Sequence, residues 1–257
     1  MEAIKDEVVY SSEEEQERIE EEKERFVATV SLSGVTGPVR NVLVCAAGNA
    51  QALTKIVFEG MPEAGKAEVL YQEKTKDVLK IFYVQASQLL VLHPEGLKGA
   101  WSRTIIGQLF TKLAEAGSPA PRVVILDSVY KTNYSTTDTG HLLSLDDGFP
   151  LKYYKSSYVD AHAAGFLTKH QPAGVLNILG GFAAALLVNA ELSGQSAVAL
   201  HAIVDSHYVT AETLQAFAPV VQDLLQITGS GVDQIARLPA FKKVLKEANT
   251  RSNNIFN

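Results

Sequence analysis

The residues with the clearest spacing for chemistry are Asp205 and His207, which lie two positions apart in the segment DSHY. They stand at the end of SAVALHAIVD (196–205), an apolar run that predicts a buried strand. Open α/β sheets bind ligands at the carboxyl ends of their strands, and an Asp near a His is a usual acid–base pair. One hypothesis is therefore a small-molecule enzyme. The alternative is that these two side chains cap a helix or form surface hydrogen bonds.

Two glycine-containing segments resemble nucleotide-binding loops. In GMPEAGKA, Gly60, Gly65 and Lys66 have phosphate-loop spacing, but Ala67 stands where a magnesium-binding hydroxyl is needed. This segment is interpreted as a plain turn between strands. The segment TGSG (228–231) follows a predicted helix rather than a strand, so it predicts a turn between helices and not a dinucleotide site.

Nucleophile and metal motifs are missing from the sequence. No Gly-x-Ser-x-Gly or His-Glu-x-x-His segment occurs, and the six histidines are scattered. Cys45, the single cysteine, ends the apolar run VLVCAA, which predicts a buried and inert thiol. The sequence thus predicts no catalytic residue, no cofactor and no metal, with the pair Asp205 and His207 as the remaining enzymatic alternative.

The composition restricts the class of protein. With 257 residues and 46% hydrophobic content, the chain can bury one large core or two small ones. The longest apolar stretch, VLNILGGFAAALLV (175–188), is shorter than the roughly 20 residues of a membrane span. There is no basic stripe and no secretory or transit pattern. We expect a soluble protein without membrane or nucleic-acid partners, in a reducing compartment such as the cytoplasm or the nucleus.

The acidity of the chain is concentrated at its start. Residues 1–25 carry eleven acidic and four basic side chains, whereas the remainder carries eighteen and nineteen. The segment SSEEEQERIEEEKER (11–25) has no apolar face, so we interpret 1–25 as a solvated, flexible acidic arm. The alternative is an arm that meets a basic surface on a partner. A single α/β domain over 26–248 and a flexible C-terminal tail over 249–257 complete the predicted organisation.

The predicted elements follow a strand–helix–strand–helix order. Short β-rich runs are FVATVSL, VRNVLVCAA, KIVFEG, DVLKIFYVQ and QLLVLHP. LKGAWSRTIIGQLFTKLAEAG predicts a helix ending at Gly117, and RVVILDSV predicts a central strand covered on both faces. Further helices are predicted over 173–192, over 211–227 with a kink at Pro219, and over 232–248. This order favours an α/β sandwich in one domain.

The C-terminal third resembles the proteasome α-ring assembly chaperone family. Three segments carry the resemblance: GFAAALLVNAELSGQSAVALHAIVD (181–205), VTAETLQAFAPVV (209–221) and the terminal SNNIFN. The second segment contains Glu212, Phe217 and Pro219 in a Glu-x₄-Phe-x-Pro pattern. The match covers about residues 173–257, and over 26–130 it rests on the order of strands and helices.

The resemblance implies a fold, partners and a role. The implied fold is a single-domain α/β/α sandwich similar to nucleoside phosphorylases, without catalysis. The rival hypothesis is then an enzyme on such a sheet that acts on nucleoside-like small molecules. The implied partners are proteasome assembly chaperone 2, in a heterodimer, and the α subunits of the 20S proteasome, which the heterodimer helps to assemble into their ring.

The resemblance also assigns roles to the last three residues. The family's C-terminal docking motif, a hydrophobic residue, a tyrosine and any residue, inserts in a pocket between neighbouring α subunits. Here Ile255 is the hydrophobic residue, Phe256 replaces the tyrosine and Asn257 bears the terminal carboxylate. The alternative is that Ile255 and Phe256 fold back onto the last helix. Phe256 lacks the tyrosine hydroxyl, so any hydrogen bond made by that hydroxyl is absent.

Overall fold

The fold is seen in a computed structural model that describes residues 26–46, 48–58, 60–118, 120–130, 133–134, 151–174, 177, 179–204, 209–217, 219–224, 242–244 and 246. In this part of the chain, nine strands form one sheet. The strands are β1 (Phe26–Ser31), β2 (Asn41–Cys45), β3 (Glu63–Tyr71), β4 (Lys74–Val84), β5 (Leu89–Pro94), β6 (Arg122–Tyr130), β7 (Leu151–Lys155), β8 (Gln171–Pro172) and β9 (Ala197–Val204).

Helices connect and cover these strands. They are α1 (Gly48–Val57), α2 (Gly99–Glu115), α3 (Ala161–Leu167), α4 (Gly181–Leu192) and α5 (Ala211–Gln215), with a 3₁₀ turn at Gln85–Ser87 and a π-helical turn at Val220–Leu224. In the described part of the chain, no helix has both the length and the hydropathy needed to cross a membrane.

The strand order in the sheet is β1-β3-β4-β5-β2-β6-β9-β7-β8. The four central strands β5, β2, β6 and β9 run parallel, while β4, β3 and β1 extend one side as an antiparallel meander. On the other side β7 is antiparallel to β9. The parallel strands are the ones with nearly unbroken apolar sequence, as expected where helices cover both faces.

The sheet separates two hydrophobic cores because successive side chains of a strand point to opposite faces. In β2, Leu43 and Cys45 join the core beneath α1, α3 and α5, whereas Val42 and Val44 join the core beneath α2 and α4. All four side chains are fully buried. The predicted single-domain α/β/α architecture is therefore confirmed.

One predicted strand was wrong. The run KIVFEG was predicted as β-rich, but its first three residues are the last turn of α1. Ala50, Leu53 and Ile56 are buried at a spacing of three, which places them on one helical face against the sheet. The β-branched residues at the end of the helix led to the prediction of a strand. The segment is helical because the helix buries its whole apolar face against the sheet.

The segment GMPEAGKA is not simply a turn, because β3 begins at Glu63. Gly65 and Lys66 therefore lie within a strand, which also excludes a phosphate loop at this position. The turn that follows β3 places Gln72 and Glu73 at positive φ angles of 49° and 62°. Two consecutive positive φ values are typical of the tight hairpin turn that matches the twist of the flanking strands.

The predicted helix over 173–192 begins later than its apolar pattern suggests. Gly180 is extended and Gly181 has a φ of +57°, so α4 starts there. The helix predicted over 211–227 with a kink at Pro219 is shorter than predicted, because α5 ends at Gln215, before the proline, and a separate π-helical turn follows at Val220–Leu224. The helix over 99–115 and its stop at Gly117, which has a φ of +80°, are confirmed.

We expect opposite effects from the same substitution at two glycines. A Cβ on Gly65 would lie 2.1 Å from the carbonyl oxygen of Ser31 in β1, whereas a Cβ on Gly107 in α2 meets nothing within 4 Å. Gly65→Ala should lower the free energy of unfolding by about 1–3 kcal/mol, since the strand backbones must separate. Gly107→Ala should raise it by about 0.5–1 kcal/mol. Urea denaturation of both variants checks this, and stabilisation by Gly65→Ala would contradict the packing of β1 on β3.

Candidate functional site

An acid–histidine pair, in which only the histidine is fully buried, lies on the carboxyl-terminal half of the parallel sheet. Asp127 of β6 and His201 of β9 are register partners, and Asp127 Oδ2 lies 3.2 Å from His201 Nε2. The atoms are close but are not aligned as a hydrogen bond, so the contact is electrostatic. Neither residue was predicted as a site residue, although each is a polar residue within an otherwise apolar strand.

Two further titratable side chains, Tyr154 and Lys152, lie on the neighbouring strand β7. The ring of Tyr154 packs edge-on against His201 at 5.3 Å, and its hydroxyl has no hydrogen-bond partner among the described residues. Burial raises the pKa of Tyr154, and the neighbouring Tyr134 and Asp127 raise it further. Lys152 donates a hydrogen bond to Gln171, and burial lowers its pKa. Such a cluster can hold and move protons, which is the chemistry that the enzymatic hypothesis requires.

The crevice between β2 and β6, a usual ligand position in such sheets, is occupied by a side chain. The hydroxyl oxygen of Ser128 accepts a hydrogen bond from the backbone N–H of Asn49 at 3.3 Å, at the start of α1. A Cβ on Gly48 would come within 2.3 Å of the same oxygen. Ser128 thus fills the position beside the helix N-terminus where a ligand phosphate would otherwise approach.

Cys45 lies at the end of β2 and is fully buried, as predicted. Burial raises the pKa of its thiol to about 12, against a small opposing effect of a hydrogen bond with Thr54. At pH 8 the thiolate fraction in the folded state is therefore about one in ten thousand. We expect thiol reagents such as Ellman's reagent to modify Cys45 only at the rate of global unfolding. Rapid labelling of the native protein, measured at 412 nm, would contradict this burial.

The outward side of α4 forms an exposed apolar surface. Ala184, Val188 and Leu192 recur every fourth residue, and Val188 and Leu192 are 58% and 81% exposed. Tyr158, which is 53% exposed, extends this surface next to Gly194 beyond the helix end. We call these four residues the α4 stripe: Ala184, Val188, Leu192 and Tyr158. A helix with apolar side chains on its outer side as well as its inner side is normally covered there, so the α4 stripe is a candidate protein-binding surface.

Several residues named from the sequence lie outside the described residues. These are Asp205 and His207, the segment TGSG, the acidic arm, and the docking residues Ile255, Phe256 and Asn257. The structure therefore shows two other candidate features: the acid–histidine pair formed by Asp127 and His201, and the α4 stripe. The apolar pattern predicted a helix over 173–192 but not which of its sides faces solvent.

Comparisons with known sequences find no match, neither among models of protein families nor among curated proteins. Solved structures do match. Pyrococcus furiosus PbaA, an archaeal homolog of proteasome-assembly chaperone, is similar with a TM-score of 0.61 and 11% identity over 89% of this chain and 99% of that chain. Pyrococcus furiosus PbaB, an archaeal proteasome activator, has a TM-score of 0.56 at 10% identity over 90% of this chain and 99% of that one.

A protein of unknown function from Thermoplasma acidophilum is also similar, with a TM-score of 0.58 and 12% identity over 96% of this chain and 97% of that chain. At these identities the likeness establishes a shared fold. The chain thus has the single-domain α/β fold of proteasome-assembly chaperone homologues. The likeness to Pyrococcus furiosus PbaA covers most of this chain and nearly the whole of that one.

Proposed function

We propose that this chain is a non-catalytic chaperone of proteasome assembly that acts in the cytoplasm and the nucleus. In this proposal it corresponds to proteasome assembly chaperone 1 and forms a heterodimer with proteasome assembly chaperone 2. The heterodimer holds 20S proteasome α subunits while they assemble into their ring. The last three residues, Ile255, Phe256 and Asn257, bind in a pocket between neighbouring α subunits.

The observation that carries this proposal is the fold shared with an archaeal homolog of proteasome-assembly chaperone over 89% of the chain. Sequence adds an independent feature, since the chain ends on an apolar residue, an aromatic residue and a carboxylate after a polar segment. The polar segment suits a leash that lets the end search for a pocket. Ordering of this leash offsets part of the binding free energy, so the body of the chaperone must contribute a second contact.

The α4 stripe suits the contact with the partner chaperone. It is apolar, it extends along a regular helix and it leaves Val188 and Leu192 largely in water. An apolar centre with a polar rim is the usual composition of a stable heterodimer interface. Glu191 lies beside the stripe, where its carboxylate accepts a hydrogen bond from the backbone N–H of Ser157 at 2.7 Å. This bond fixes the loop that carries Tyr158.

We expect Val188→Glu and Leu192→Glu to weaken heterodimer formation by about 10- to 100-fold each, because either carboxylate would lose its water in the interface. The matched control is Leu70→Glu, since Leu70 is a similarly exposed apolar residue on β3. Titration calorimetry with purified proteasome assembly chaperone 2 measures the change. If Leu70→Glu weakens binding and the α4 variants do not, the partner docks on the meander and not on α4.

The function as a whole is tested by reconstitution. Purified α subunits are incubated with proteasome assembly chaperone 2, with or without this chain, and native electrophoresis follows the formation of seven-membered rings. The proposal expects faster ring formation and a complex that contains this chain. Equal ring formation with and without the chain, together with no association with the α subunits, would refute it.

The short distance between Asp127 and His201 supports a second candidate function, an enzyme on this sheet that acts on nucleoside-like small molecules. In that case His201 exchanges a proton with the substrate while Asp127 stabilises its charged form. The sequence-based pair Asp205 and His207 follows the same strand, β9. Turnover of nucleosides that is lost in His201→Ala or His207→Ala would support the enzyme, and absence of turnover by the native chain would exclude it.

A further inference from the structure

A cavity of about 300 Å³ lies between the sheet and α1, away from the acid–histidine pair and the α4 stripe. It is formed by residues from α1, the segment after it, β4, β5 and its end, and the C-terminal segment 242–244. The side chains that decide its chemistry are Lys55, Phe58, Met61, Lys80, Phe82, His93, Glu95, Lys243 and Val244. Its volume is at the lower end of the range for small-molecule sites.

His93 is the buried polar group of this cavity. It is only 4% exposed, and its Nδ1 has no hydrogen-bond partner among the described residues. Its Nε2 lies 3.7 Å from Glu95 Oε1, which is too far for a hydrogen bond. A buried polar atom without a partner lowers stability unless something else supplies the hydrogen bond. The imidazole of His93 thus forms part of the cavity wall and has unused hydrogen-bonding capacity at Nδ1.

The charges around His93 favour an anion. Among the described lining residues, the side chains of Lys55, Lys80 and Lys243 accompany the carboxylate of Glu95. Lys80 is held by Glu95 at 3.2 Å and by Glu63 at 3.7 Å, whereas Lys55 forms no ion pair with another described residue. Burial lowers the pKa of His93, and the charges of Lys55 and Lys80 lower it further against the opposing effect of Glu95. The lysines therefore lie close enough to act on a charge bound beside this imidazole.

The rest of the lining is apolar. Phe58, the residue after α1, is buried, and Met61, Phe82 and Val244 pack against the same core. The aromatic rings of Phe58 and Phe82 next to lysine side chains match a molecule with one anionic end and one apolar end. We infer that this cavity binds a small carboxylate with an apolar or aromatic body, whose carboxylate lies at Lys55 and His93 and whose body packs on Phe58 and Phe82. This site is independent of the proposed chaperone function.

The inference is tested with a matched pair of probes, 3-phenylpropionate and its neutral amide, 3-phenylpropanamide. Both are titrated into the full-length chain, alone and with its partner chaperone bound, and binding is followed by calorimetry and by amide NMR shifts. We expect the acid to bind and to shift signals of α1 and β5, and the amide to bind at least about fivefold more weakly. This ratio reflects the loss of charge-assisted hydrogen bonds at a partly exposed site.

Variants separate the site from general charge attraction. Lys55→Gln should weaken binding of the acid by about three- to tenfold, whereas Lys74→Gln, on the exposed β3–β4 hairpin, should not change it. His93→Leu should weaken binding of both probes without lowering Tm, because it removes a hydrogen-bonding group of the cavity wall that has an unpartnered buried atom. A His93 with only a structural role would instead lower Tm on replacement. Equal binding of acid and amide, or an equal loss in the Lys55 and Lys74 variants, would overturn the inference.

Discussion

Removal of residues 255–257 is expected to lower the affinity of the heterodimer for α-ring intermediates by about 100-fold. Burial of the Ile255 and Phe256 side chains stabilises a complex by about 1.5–3 kcal/mol each, and a terminal carboxylate on Asn257 adds a charge-assisted hydrogen bond. Ordering the polar segment before them offsets part of this sum. A net contribution of about 3 kcal/mol to the binding free energy corresponds to the expected 100-fold loss of affinity.

The measurement is capture of α subunits by the tagged heterodimer, with binding to proteasome assembly chaperone 2 followed in the same samples. The truncated chain should still form the heterodimer, since the α4 stripe is unchanged. Asn253→Ser is the matched control, because it alters the leash and keeps the terminal three residues. Unchanged capture by the truncated chain would remove the tail from the proposed function and leave the shared fold unaffected.

Phe256→Tyr is the graded variant of this experiment. If the α-subunit pocket has a group that pairs with a tyrosine hydroxyl, Phe256 leaves that group unpaired, which costs about 1–3 kcal/mol. Capture by the Phe256→Tyr chain should therefore be tighter than capture by the native chain. Equal or weaker capture would mean that the aromatic ring of residue 256, without a hydroxyl group, determines binding at this position.

Phe217→Ala is expected to cause the largest loss of stability, about 3–5 kcal/mol. Phe217 is fully buried in the core beneath α1, and its backbone N–H donates a hydrogen bond to the carbonyl of Leu214. Truncation leaves a cavity between the α5 region and the sheet, because the strands cannot move inward. The same residue belongs to the Glu-x₄-Phe-x-Pro pattern, so this pattern reflects packing at Phe217.

Urea denaturation followed by circular dichroism measures the effect, and Gln215→Ala is the matched control. Gln215 is exposed two residues earlier in α5, so its replacement should change the free energy of unfolding by less than about 0.5 kcal/mol. An effect of Phe217→Ala below about 1 kcal/mol would show that this side chain is not part of the core.

Local sequence was sufficient to predict the helices and strands whose apolar pattern extends over several helical turns or along a whole strand. In α2, Trp101, Ile105, Leu109 and Leu113 are buried as their spacing of four predicts. The strand β9 is buried along its whole length, as its apolar sequence predicts. Both patterns are long enough that one register satisfies every residue.

Short or interrupted apolar patterns were not sufficient to predict the type of an element or its boundaries. The strand predicted at KIVFEG failed because a run of a few apolar residues fits a helix face as well as a strand. The start of α4 was misplaced because the apolar character of 173–180 continues into the helix, while the positive φ of Gly181 sets the boundary. The pair formed by Asp127 and His201 was missed because 74 positions of sequence separate two residues that sheet register makes neighbours.

What the sequence alone determined is local: a single α/β domain, the buried parallel strands and the burial of Cys45. These depend on composition and on patterns within one element. Only the tertiary structure decided which side of α4 faces solvent and which side chains surround His93, because both depend on strand order and helix placement. Residues from α1, β4, β5 and 242–244 meet in one cavity because the chain folds them over the same face of the sheet.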